Sequence, residues 1–145
     1  MTLADDYNLR AETVTMNDVA DFVDLFSEET SFTPTFSVTA PMTISSTAID
    51  VAKLYTIGDL CFVSLKYRAT IGGTSRFELR ASLPFTPIAS TYHNLTCNIG
   101  QPTAGSYLAG LCYTDGTNLI ARLYNSSEMS ATTVDVNING FLRIV

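Results

Sequence analysis

At 145 residues the chain has room for one hydrophobic core and little more. Hydrophobic residues supply 46% and charged residues only 15%, below the roughly 25% of an average soluble domain, which suits a β-rich, sparsely charged surface made for assembly. The net charge of -6 argues against a nucleic-acid partner, and no run approaches the roughly 18 to 20 apolar residues of a membrane span, so no membrane insertion is expected.

The charge is unevenly placed. Residues 1–30 carry eight acids (Asp5, Asp6, Glu12, Asp18, Asp21, Asp24, Glu28, Glu29) against one base, Arg10, while the rest of the chain is close to neutral. This change near Ser31 divides the chain into an N-terminal arm, 1–31, and a domain, 32–145. Within the arm Thr15-Met16-Asn17-Asp18 offers a helix cap, and Val19, Phe22, Val23 and Phe26 fall at i, i+3, i+4 and i+7, an apolar stripe opposite Asp18, Asp21 and Asp24. So short a helix does not hold alone. Its stripe packs either on the chain's own sheet or, as we expect, on another protein or a second copy, and these four residues are the candidate partner-binding face. The arm opens MTLADDYNLR, without the basic start and apolar stretch of a signal peptide, so synthesis in the cytoplasm is expected.

After Ser31 the pattern predicts eight strands, over 35–39, 51–56, 60–70, 75–83, 92–99, 107–114, 118–124 and 134–145. Cys61, Val63, Leu65, Tyr67 and Ala69 alternate with Phe62, Ser64, Lys66 and Arg68, and Phe77, Leu79, Ala81 and Leu83 alternate with Arg76, Glu78, Arg80 and Ser82. Ile57-Gly58-Asp59 turns the chain before the first run, and Gly72-Gly73 supplies a tight hairpin between the two, giving an antiparallel meander. Its outward Lys66, Arg68, Arg76 and Arg80, tempered by Glu78, fall on neighbouring strands and read either as a plain solvated face or as a basic patch on which the acidic arm of another copy lies. Asp115-Gly116 predicts a type I′ hairpin. Tyr107 and Tyr113 share a face with Ala109 and Leu111 and are read as core, whereas the polar loops 98–106 and 125–133 are the places for recognition. In the last strand Phe141, Leu142 and Ile144 are apolar on both faces, and Gly140 marks a bulge or bend. Such a strand is either central in its own sheet or buried in an oligomer interface, for which these three residues are the candidates.

The order Tyr55, Gly58-Asp59-Leu60, a strand, a Gly-rich turn, another strand and Leu83-Pro84-Phe85 resembles the compact β-sandwich domains of phage virion proteins, such as tail-fibre heads and head-fibre or decoration knobs. The resemblance covers about thirty residues directly. It implies an all-β, antiparallel, jelly-roll-like sandwich preceded by the acidic arm with its short helix, a virion setting, and a homotrimer. No binding residue is carried over, because such domains share a frame and differ in what their loops recognise.

Catalytic and cofactor signals are weak. The one histidine, His93, and Cys97 would share a strand face about 13 Å apart, too far for a base and its nucleophile. No Cys or His cluster has metal-ligand spacing, and no Gly-rich loop opens a helix to hold phosphate. Cys61, Cys97 and Cys112 lie in strand-like segments as small buried hydrophobes. We therefore expect no enzyme, no metal and no cofactor. Two functions remain. One is a virion structural accessory, an oligomeric knob anchored through residues 1–31 to the major capsid protein or another virion platform. The other is a receptor-binding head that recognises a host-surface glycan or protein. With no fibrous shaft in the sequence, the first is the expectation.

Overall fold

The computed structural model describes residues 29–88, 94–102, 105–130 and 132–144. Nine strands are present: β1 (Glu29–Ser31), β2 (Phe36–Ser37), β3 (Thr43–Ile57), β4 (Leu60–Gly72), β5 (Glu78–Ser82), β6 (Asn94–Gln101), β7 (Ser106–Asp115), β8 (Asn118–Leu123) and β9 (Thr133–Arg143). All pair antiparallel in one sheet of order β1-β3-β4-β9-β6-β7-β8-β5-β2, curled into a half-barrel, and no helix occurs among the described residues. The arm's stripe of Val19, Phe22, Val23 and Phe26 lies outside the described residues, as does His93.

Alternation along each strand sends one row of side chains to the concave side. Ala52, Leu65, Ile138, Cys97, Gly110 and Leu123 stand opposite one another in register across β3, β4, β9, β6, β7 and β8. A Cβ at Gly110 would lie 2.7 Å from Cys97 Sγ, so the glycine makes room for the thiol. Curvature brings distant strands together: Phe36 of the edge strand β2 packs on Tyr67 of β4 with ring centroids 4.5 Å apart. Leu65, Tyr67, Leu79, Ile99, Leu119, Leu123, Ile138 and Leu142 are fully buried there, each large aliphatic side chain contributing about 1.5–3 kcal/mol by leaving water.

Two hairpins form where the turn residues indicate. Ile57 pairs with Leu60 around Gly58-Asp59, and Asp115 pairs with Asn118 around Gly116-Thr117. In both loops positive φ falls only on the first central residue, Gly58 (+58°) and Gly116 (+57°). That is the type II′ pattern, so the type I′ expectation for Asp115-Gly116 is corrected: Thr117 is β-branched and stays out of the left-handed region.

The meander breaks after β4. Both sides of β4 are occupied, by β3 and β9, so β5 crosses over to pair with β8 and β2 instead. Gly72-Gly73 is therefore no hairpin. A Cβ at Gly73, whose φ is +75°, would lie 2.1 Å from the Pro41 carbonyl oxygen, and the glycine lets two backbones meet. The crossover also divides the expected basic patch. Lys66 and Arg68 on β4 are separated from Arg80 on β5 by four strands, and Arg76 lies in the connection.

Two further expectations change. The ladder runs unbroken through Gly140, opposite Val63 and Leu95, so no bulge occurs there; the register shifts lie in β3, between Ile44 and Ser46 and between Ile49 and Val51. β9 is central and buries one face only, with Leu142 inside and Phe141 outside. The sheet also reaches back into the acidic stretch, because β1 pairs with β3. Lys53 and Tyr55 donate hydrogen bonds to the Glu29 carboxylate, which pulls its pKa down and raises those of Lys53 and Tyr55.

Candidate functional site

The outer face of β9 presents Asp135, Asn137, Asn139 and Phe141, alternating with the buried Val134, Val136, Ile138 and Leu142. Register extends each of them into a cross-strand row. Arg68, Asp135, Gly100 and Tyr107 form one row, Lys66, Asn137 and Asn98 the next, and Ser64, Asn139 and Thr96 the third. Arg68 Nε donates to Asp135 Oδ1 at 2.6 Å, Asn139 Nδ2 to Asn137 Oδ1 at 2.7 Å, and Ser64 Oγ to Asn139 Oδ1 at 2.9 Å. The Asp135 carboxylate pushes the Arg68 pKa further up. A groove of about 360 Å³ lies over the first two rows, with Tyr107 on its wall.

At the far end of this face the rows turn aromatic. Tyr55, Phe62 and Phe141 stand in register, with centroids 6.1 Å apart for the first pair and 5.2 Å for the second. Phe141 is 46% exposed. The charges beside the row are matched within the chain, Lys53 with Glu29 and Arg143 with Asp59 at 3.0 Å.

A second depression, of about 500 Å³, lies on the outer side of β5 and β8. Glu78 is its centre: Tyr113 donates to Glu78 at 2.7 Å, and the guanidiniums of Arg80 and Arg122 approach it at 3.5 and 3.8 Å. Burial, then the bond to Glu78, raises the Tyr113 pKa. Ser75 and Ser126, the two non-glycine residues with positive φ among the described residues, both line it. Asn125 Oδ1 accepts from the Ser127 amide at 3.1 Å and stabilises that turn.

Of the expected interface set, Phe141 is on the surface, Leu142 is fully buried in this chain's own core, and Ile144 packs partly against that core. Tyr107 and Tyr113 are not core. Tyr107 is 78% exposed, because Leu108, opposite Ile99, belongs to the concave row and Tyr107 must then point outward. Residues 98–101 of the expected recognition loop are strand, whereas 124–130 are irregular. Among the described residues no group of three or more His, Cys, Asp or Glu converges on a point that could hold a metal ion. Sequence reasoning missed the column Asp135, Asn137, Asn139. Its signal was present in the strict alternation with Val134, Val136 and Ile138, where amides replace the Lys, Glu or Thr usual on a plain solvated face.

No protein-family model matches the chain, and neither a curated protein nor a solved structure matches it.

Proposed function

We propose that this chain is a virion structural accessory, a homotrimeric knob whose curled sheet is the frame of a jelly-roll-like β-sandwich. In this reading residues 1–31 anchor it to the major capsid protein or another virion platform, after synthesis in the host cytoplasm. The observation that carries the oligomer is the aromatic row Tyr55, Phe62 and Phe141, left open on the outer face of a sheet that already has its own core. Because the neighbouring charges are paired internally, the row is apolar without net charge, a surface that suits a copy of itself better than a charged partner. The test is the solution mass of the full chain by light scattering, followed by antibody labelling of purified particles. Wild-type protein is expected to be oligomeric and Phe141→Asp monomeric with an unchanged circular-dichroism spectrum. A monomeric wild type, or absence from particles, overturns the reading. A second reading, a receptor-binding head, is favoured by the polar groove beside Tyr107.

A further inference from the structure

We infer that the groove between β9 and β7 is a binding site for a neutral oligosaccharide, with Tyr107 as its stacking platform. The inference deepens the receptor-binding reading, on which its biological setting rests. A Cβ at Gly100 would lie 2.7 Å from Tyr107 Cε1 and 2.9 Å from Cδ1, so the ring lies against the bare backbone of its cross-strand neighbour. That contact is made by the Cδ1–Cε1 edge, and the rest of the ring is open to solvent in a residue that is 78% exposed. A ring that already rests on the sheet at one edge loses less freedom when a ligand stacks on it, and its electron-rich face attracts the C–H edge that one side of a pyranose presents.

The floor of the groove supplies the polar half of such recognition. Asn98 makes no side-chain hydrogen bond among the described residues, and Asn137 uses its Oδ1 while its amide nitrogen has no acceptor among them. Donors and acceptors are therefore both on offer within one row of the ring, as vicinal hydroxyls require. The charges are compensated: Arg68 is held by Asp135, and Lys66 faces Asp50 at 3.5 Å. A phosphate or sulfate group would have to break those pairs, whereas a neutral hydroxylated ligand need not. From the row of Asp135 to the row of Asn139, short of the aromatic row, the face runs about 13 Å at the rise of a β-strand, enough for two or three sugar rings. A polyproline peptide would need a series of aromatic ridges, and here one ring stands among amides.

The experiment incubates the full chain with an array of neutral saccharides built from glucose, galactose, mannose, rhamnose and N-acetylhexosamines, then titrates the best binder by calorimetry. Tyr107→Ala and Asn98→Ala are expected to weaken binding at least tenfold without moving the thermal melt, and Tyr107→Phe to keep most of it. No binder at millimolar saccharide, binding that survives Tyr107→Ala, or binding confined to acidic glycans or proline-rich peptides overturns the inference. If the saccharide binds through Tyr107 yet does not block adsorption of particles to cells, the groove stands and the receptor-binding reading fails.

Discussion

Cys97 occupies the space that Gly110 leaves on the facing strand, and its chemistry follows from that position. Burial pushes its thiol up from an ordinary 9.0 to about 12. Burial raises Cys112 as well, with a smaller contribution from Cys97, and burial also raises Cys61. In the unfolded chain these protons leave near pH 9, whereas the folded chain retains that of Cys97 to about 12. The unfolded state therefore binds fewer protons across that window, so the contribution is complete below pH 9 and is lost as pH rises toward 12. For Cys97 the loss by pH 10.5 is about 2 kcal/mol. Urea unfolding should give a level midpoint from neutral pH to pH 8.5 and a fall above it, and Cys97→Ala should show the shallower fall. Equal slopes in the two proteins would mean that the thiol is not held neutral by the fold.

The connection from β4 to β5 sets the topology, and two glycines of similar φ make it testable. Gly58 has nothing within 4 Å of an added Cβ, whereas at Gly73 the Pro41 carbonyl stands in the way. Gly58→Ala is expected to cost about 1–2 kcal/mol from backbone conformation alone, and Gly73→Ala distinctly more, measured as the shift in urea midpoint. Equal costs would remove the close approach to Pro41 from the account. These elements also mark how far local pattern carries. The period of two, read over 60–70, 118–124 and 134–145, located the strands Leu60–Gly72, Asn118–Leu123 and Thr133–Arg143, and the glycine turns at Gly58 and Gly116 joined true neighbours, because a hairpin is decided by the residues inside it. Partners far apart in sequence left no such mark. A Gly-Gly pair reads alike whether it closes a hairpin or admits another backbone, and β5 went to β8 because β4 had no free edge. β7 is apolar on both faces, so alternation alone could not tell that Leu108, itself 39% exposed, and not Tyr107 stands on the side of the buried Ile99; the register decided it. β1 is three residues long and polar, too short for a pattern, and is held by backbone pairing with β3, with the Lys53 and Tyr55 bonds to Glu29 beside it.

For the whole molecule, the dispersal of the basic residues changes what should hold copies together. Lys66, Arg68 and Arg80 each have an acidic partner in the same chain, so the acidic arm has no continuous positive surface to lie on. Association through the aromatic row is then expected to keep the same mass at low salt and at about 1 M salt, where exposed charges interact only within about 3 Å. Dissociation at high salt would restore an electrostatic contact. The two register shifts in β3 bear on the form of any assembly. Ser45 and Asp50 are the unpaired residues, tied back to β4 by Ser45 Oγ donating to the Thr70 carbonyl at 3.3 Å and by the Asp50–Lys66 pair. β1 covers only Lys53, Leu54 and Tyr55, so the rest of β3 would otherwise be a long straight edge able to accept a strand from a second molecule. Two kinks within seven residues spoil that template. Strand addition along β3 is thereby disfavoured, and an assembly of the kind proposed would be built on the outer face of the sheet and not on this edge.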